Sequence, residues 1–286
     1  MVKEKKTKSG FVVLVGRSNV GKSTLLNNLV GTKIAITTPK SQTTRFPIRG
    51  IIHDPRGQAV LVDTPGVFEK SFDQLTESLN KRVKETLKGI DLILHIVDPS
   101  REIGNEEKII QRLIKYIKVA KILVINKVDL SPLPFLEDYR RMKENYDDSV
   151  EISALKRKHL KKLLDLIFKY LPQKEPFYPE YQFTDLDQKA WLEELIREKV
   201  FLYLHEEIPY STTVEIEEIQ EKKENLLYIK AKIITDNPRH KIIIIGKGGQ
   251  KIKEIGKAAR KEMEAVFNKK IFLDLEVEVE KWKNRF

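Results

Sequence analysis

Eight residues near the start of the chain have the types and spacing to hold a phosphate chain. Gly16-Arg17-Ser18-Asn19-Val20-Gly21-Lys22-Ser23 reads GxxxxGK[ST]. Glycines let the backbone wrap tightly, so that successive N–H groups face a phosphate. Lys22 reaches the terminal oxygens, and the Ser23 hydroxyl suits Mg²⁺. Thr24 completes the corner, where a helix begins and its N-terminal dipole favours an anion.

Later segments extend that chemistry. Asp63-Thr64-Pro65-Gly66 places a carboxylate to hold Mg²⁺ through a water and an N–H, from Gly66, to meet a γ-phosphate. In Asn126-Lys127-Val128-Asp129, Asp129 can accept from guanine N1 and N2, where adenine offers no donor pair. Asn126 supports that loop and can approach N7, and the Lys127 stem packs over the base. Such a site rejects the wrong base because buried acceptors would go unpaired. Ser153-Ala154-Leu155 supplies a backbone N–H for guanine O6. Between residues 38 and 49 a threonine can bind Mg²⁺ when a γ-phosphate is present. Thr43 and Thr44 are both candidates, and Thr44 is favoured. Lys22, Thr44 and Gly66 are then expected to act on the transferred phosphoryl group. Ser23, Thr44 and, through water, Asp63 would hold the metal. Each motif alone has a plain counterpart, a glycine turn or a charged loop; their order and placement at strand ends point to GTP or GDP with Mg²⁺. In Ras-like switches a glutamine after DxxG orients the attacking water. Val67 stands there, so slow intrinsic hydrolysis is expected.

A second constellation lies near the C-terminus. Ile245-Gly246-Lys247-Gly248-Gly249 contains GxxG, which at a helix N-terminus can clamp a nucleic-acid backbone. Lys251, Lys253, Lys257 and Arg260 follow, and residues 239–261 hold eight Lys and Arg against Glu254 alone. From 174 to 230 the balance reverses, with seven Lys and Arg against fourteen Asp and Glu. A short basic segment beside an acidic one is an electrostatic footprint for RNA. The apolar run Ile242–Ile245 is expected to be a strand that floors unstacked bases. Ile252, Ile255, Ala259, Met263 and Val266 are expected to form the core face of the helix 251–267. The acidic face of the last strand should point away from RNA.

The elements that must position these residues follow from periodicity. Apolar runs at 11–16, 48–53, 58–63, 91–98 and 121–126 alternate with amphipathic stretches such as 106–117, which argues for a mostly parallel sheet covered on both faces. Residues 48–63 read as a hairpin turning at Pro55 and Gly57. A helix over 158–170 closes this part. Pro172, Pro176 and Pro179 then mark a stiff, extended linker. The expected division is 1–172, a linker over 173–184, and 185–286. The second part reads α-β-β-α-β: a helix over 187–205 with Trp191, Leu192, Leu195, Ile196 and Leu202 at helix spacing, strands at 212–219 and 226–234, the helix, and a strand alternating Ile271, Leu273, Leu275, Val277 and Val279 with acids.

The bulk numbers bound these readings. With 286 residues, two domains are the natural count. There is no cysteine, which excludes disulfides and thiolate metal sites. The net charge is +11. No apolar stretch suits a signal peptide or a membrane span, so the protein is expected to stay in the cytoplasm.

The motifs GRSNVGKS, QTTR at 42–45, DTPG, NKVD and SAL in unpermuted order, then IGKGGQKIKEIG, resemble the Era family over nearly the whole chain. The resemblance implies an α/β P-loop GTPase domain followed by an α+β type II KH domain. It implies binding near the 3′ end of small-subunit ribosomal RNA, help in assembling the small ribosomal subunit, and some peripheral attachment at the inner face of the membrane. The chain is expected to be a monomer. Asn19 resembles the P-loop asparagine of potassium-stimulated GTPases, which implies a K⁺ beside the phosphates; the alternative is that Asn19 only shapes the loop. Two readings compete: an RNA chaperone whose nucleotide site has a negligible catalytic role, and a tRNA-modification GTPase, which shares the P-loop and TTR stretch but lacks the KH loop.

Overall fold

The computed structural model describes residues 7–38, 47–65, 89–223 and 225–280. It divides into two compact units, Met1–Asp185 and Leu186–Phe286. Thr43, Thr44, Gly66 and Val67 lie outside the described residues.

The first unit contains strands β1 (Lys8–Val15), β2 (Ile48–Asp54), β3 (Gly57–Asp63), β4 (Leu92–Val97), β5 (Ala120–Ile125) and β6 (Asp148–Glu151). Its described helices include α1 (Lys22–Val30), α2 (Asn105–Lys115), α3 (Leu136–Arg141) and α4 (Leu160–Tyr170). The strands form one sheet in the order β2-β3-β1-β4-β5-β6. Among the described strands, only the β2–β3 pair is antiparallel. β4 is buried along its whole length, which is why it reads as an unbroken apolar run. Helices cover both faces. Val13, Val62 and Ile93 share one face and pack against Ile110 and Ile114 of α2. Gly50, paired across the sheet with Leu61, lies on the opposite face, where a Cβ would meet Leu26 and Val30 of α1. The helix α3 had no signal beyond its charged residues; its core contribution is the fully buried Tyr139.

The proline-rich stretch belongs to the first unit rather than standing free as a linker. Gln58 is the reason. Its side-chain oxygen accepts from the N–H groups of Phe177 at 2.8 Å and Tyr178 at 3.1 Å, and its nitrogen donates to Tyr178 O at 2.8 Å. Ile51 N–H donates to Phe183 O, and Arg49 pairs with Asp185 at 2.8 Å. The contact boundary therefore falls after Asp185.

The second unit runs α5 (Gln188–Tyr203), β7 (Thr212–Lys223), β8 (Leu226–Thr235), α6 (Pro238–Ile245), α7 (Gln250–Phe267) and β9 (Lys270–Val279). β7 is antiparallel and β9 parallel to the central β8. Alternation decides the faces. Leu227, Ile229, Ala231 and Ile233 join the core, while Lys230 and Lys232 on the other face pair with Glu217, and Lys232 also with Glu278.

Three expectations are corrected here. The stretch Ile242–Ile245 is helical, not a strand. Asn237 caps α6 by accepting from Arg239 N at 2.9 Å, and Pro238 supplies the first helical residue. Val266 is 54% exposed; the core stripe of α7 ends instead with Phe267, which meets Trp191 edge-on. Leu202 faces outward, and Val200 and Phe201 take its place in the core.

Candidate active site and nucleic-acid interface

β1, β3, β4, β5 and β6 run parallel, so their C-terminal ends share one edge of the sheet, the edge where open α/β sheets take ligands. The loop 16–21 leaves β1 there and turns into α1. Two glycines have no substitute in that turn. A Cβ on Gly16 would lie 2.4 Å from Ile96 O. Gly21 has φ +99°, and its Cβ would lie 2.4 Å from the Asn126 amide nitrogen. Asn19 also adopts a left-handed conformation, φ 63°.

Lys22 folds back over the loop and donates to the carbonyls of Gly16 at 3.1 Å and Arg17 at 2.9 Å. Burial holds its ammonium below the ordinary range, against the pull of Asp63, Glu107 and Glu106. A buried cation above a cradle too tight for any Cβ fits a polyphosphate. The Ser23 hydroxyl donates to Asp63 Oδ2 at 2.5 Å, joining a hydroxyl and a carboxylate as hard oxygen donors for Mg²⁺. Thr64 ties the end of β3 to β1 through Leu14 O at 2.8 Å, with Pro65 buried beside it. Thr24 lies in the first turn of α1.

Asn126 staples the site together. It is 2% exposed. Its amide nitrogen donates to Val20 O at 2.8 Å, and its oxygen accepts from Ala154 N at 2.8 Å. One side chain thus joins the phosphate loop, its own loop and the Ser153–Leu155 loop. A guanine O6 contact from Ala154 would be a shared donation. Lys127, with φ 63°, is anchored by an ion pair to Asp98 at 2.6 Å. Asp98 is buried, which resists its charge, yet bonds from Lys127 and Ser100 hold it below the usual carboxylate range. Asp129 is half-buried and Leu155 exposed.

Several contributors were not anticipated. Asp98 carried one signal, an acid at a strand end. Arg101 donates to Ser18 O at 2.9 Å, and Asn28 donates to Ala154 O at 2.9 Å. Arg17 donates to Glu106 at 2.8 Å and lies 3.9 Å from Glu107. Burial opposes the Arg17 charge, but these carboxylates raise its pKa further. Glu107 is fully buried and meets His95 Nε2 at 2.9 Å, and His95 Nδ1 meets the Tyr146 hydroxyl at 2.5 Å. Partners this far apart along the chain leave no mark in the sequence.

In the second unit the loop expected at a strand end joins two helices. Gly246 has φ 74°, Gly248 60° and Gly249 76°. A Cβ on Gly246 would lie 2.7 Å from Lys251 Cβ, whereas Gly248 and Gly249 face open space. Their backbone is approachable, and Lys247, just before them, is exposed. α7 and the edge strand β9 border a cleft of about 380 Å³ that includes Lys253, Lys257, Arg260, Gly256, Leu273 and Leu275. Asp274 lines it too, so the acidic strand is not wholly turned away. Lys251 is tied to Glu254 at 3.0 Å, while Lys253 and Lys257 are exposed. The apolar floor survives on α6, where Ile242 is 72% and Ile243 50% exposed beside Ile245.

Residues 11–127 match the family described as a 50S ribosome-binding GTPase, and residues 207–283 the family described as a KH domain. The GTPase Era of Halothermothrix orenii is 41% identical over 284 residues, covering 97% of this chain and 95% of that protein. The GTPase Era of a Thermoanaerobacter species is 43% identical over 282 residues, covering 97% and 93%. The chain belongs to the Era family of GTPases. Two solved Era structures agree in fold. An Aquifex aeolicus Era variant bound to GDP and AlF4⁻ is 41% identical with a TM-score of 0.90, covering 96% of this chain and 94% of that one. Era in complex with MgGDPNP and nucleotides 1506–1542 of 16S ribosomal RNA is 41% identical with a TM-score of 0.91, covering 98% and 96%. The two family matches thus fall one on the unit that carries the phosphate loop and one on the unit that carries the GxxG loop. Among the described residues no helix is long and apolar enough to cross a membrane.

Proposed function

We propose that this chain is a GTP-hydrolysing switch that holds the 3′ region of small-subunit ribosomal RNA and assists assembly of the small ribosomal subunit. The observation that carries the reading is the near-complete match, across both units, to a relative solved with MgGDPNP and 16S ribosomal RNA together. The 50S description applies to residues 11–127 alone, so the weight falls on the relative that matches both units.

The chain's own residues divide the work. Lys22 bridges β- and γ-oxygens, and the N–H groups of 16–21 face the phosphates. Ser23 and Thr44, and Asp63 through a water, would hold the metal. When bound, Mg²⁺ neutralises charge developing on the phosphoryl group. The Gly66 N–H meets the γ-phosphate, and Asp129 selects guanine. Asn19, left-handed in the loop, would face a K⁺ beside the phosphates. RNA lies along Ile245–Gly249, with Lys251, Lys253, Lys257 and Arg260 on its phosphates. The protein works in the cytoplasm, with peripheral attachment at the inner face of the membrane.

GTP turnover measured with and without small-subunit ribosomal RNA carrying its native 3′ tail tests this. Binding with stimulated turnover, faster in K⁺ than in Na⁺, is expected. Tight binding with unchanged turnover would favour the chaperone reading, and no binding to that tail would end the ribosomal assignment.

A further inference from the structure

Away from the phosphate loop, a concavity of about 500 Å³ opens between α2, the start of β5 and the turn before Tyr146. Four cations border it: Lys108, Arg112, Lys115 and Lys121. The first three recur at i, i+4 and i+7, so one face of α2 presents them over about 10 Å of helix. Lys121 is fixed by donating to the carbonyls of Ile117 at 2.8 Å and Val119 at 3.1 Å. From 108 to 121 the chain has five Lys and Arg and no Asp or Glu.

Several other cations of this unit are paired with acids. Arg49, Arg56, Lys127, Arg140, Lys169 and Lys174 all form ion pairs. Among the described residues, none of the four around this groove does. Two acids stand close by: Asp147 accepts the backbone N–H of Lys121 at 2.8 Å, and Glu144 is exposed beside Asn145. Unpaired like charges around a concavity repel one another, so a function must offset that cost.

The neighbours narrow the ligand. Tyr116 is 80% exposed at the end of α2, with the Lys115 ammonium 5.6 Å from its ring centre. Gln111 and Asn145 add amides to the lining. Cations for phosphates, an open aromatic ring for a base and amides for sugar or base edges together suit RNA. An acidic peptide would use the cations and leave the ring idle.

We infer that this groove on the GTPase unit is a second RNA-binding surface, taking the phosphodiester backbone of a stretch of RNA other than the one in the GxxG cleft. The inference rests on the proposed function in one respect, that RNA is the polyanion this chain meets.

The test uses the full chain with Lys108→Gln, Arg112→Gln and Lys115→Gln combined, and separately Tyr116→Ala. The probe is a labelled, naked small-subunit ribosomal RNA transcript titrated at several KCl concentrations. The triple variant should bind about tenfold or more weakly, with a log–log salt slope shallower by roughly 2, since each phosphate contact contributes about 0.7 to 0.9. Its GTP affinity and melting temperature should not change. Tyr116→Ala should weaken binding with the slope unaltered. Gly248→Asp reports on the GxxG cleft independently. If Gly248→Asp weakens binding while the triple variant and Tyr116→Ala both match wild type in affinity and slope, the groove is refuted and the proposed function stands. If wild type does not bind the transcript, both fall. A defect of the triple variant seen on intact small subunits but not on naked RNA would assign the groove to a protein partner and overturn the inference.

Discussion

Asn126 holds three loops with one amide, and that makes the nucleotide site sensitive to a change that touches no phosphate. In Asn126→Ala, Val20 O and Ala154 N, both buried, lose their partners. A buried polar group left unpaired costs about 1–3 kcal/mol. GTP affinity should fall by at least about tenfold, because a 1.4 kcal/mol loss is a factor of ten, and calorimetric titration reads it directly. An unchanged affinity would mean that the loops hold their places without the staple. The same residue shows what a sequence can disclose at this scale. Asn126 and Asp129 stand in one short run, and the glycines of 16–21 in another, so local spacing reveals them. Asp98 and the Arg17–Glu107–His95–Tyr146 chain are assembled by sheet register, and register is not written in any short segment.

At the scale of elements the strands of the first unit were legible, because parallel strands buried on both faces leave continuous apolar runs. α6 was not. Four consecutive isoleucines favour a strand by propensity, and a helix must overcome their stiff χ1 rotamers. The cap decided against propensity: Asn237 and Pro238 start a helix, and Gly246 stops it. Packing confirms the helical period, since Ile244 is fully buried while Ile242 and Ile243 are exposed. A buried strand would bury alternate residues instead. Substitution separates the two. Ile244→Ala should cost about 2–5 kcal/mol, the usual loss for a large buried aliphatic. Ile242→Lys should stay within about 0.5 kcal/mol, as exposed substitutions do. Urea titration followed by the fluorescence of Trp191, which packs on the same core, compares them. Equal losses at both positions would restore the strand.

At the scale of the whole molecule, the two chemistries depend on different physics. The nucleotide corner relies on a buried Lys22, a glycine cradle and stapled loops, all inside the first unit. The GxxG surface relies on exposed cations and approachable backbone inside the second. Composition disclosed this division, since the basic segment 239–261 stands beside an acidic one. It did not show how the 173–184 stretch is held, because proline content says nothing of the three bonds from Gln58 that bind it to the first unit. Gly248→Asp exploits the division. No atom lies within 4 Å of where its Cβ would be, and Asp tolerates φ 60° better than most residues, so the fold should survive. The new carboxylate stands where RNA phosphates would approach, and each lost phosphate contact also removes its counterion release. RNA affinity should fall by about tenfold or more at moderate salt, with GTP turnover in the absence of RNA unchanged. Any stimulation by RNA should vanish at concentrations that saturate wild type and return when RNA is raised in proportion to the lost affinity. Stimulation that persists at wild-type RNA concentrations would show that the signal enters the GTPase unit without passing through the GxxG loop.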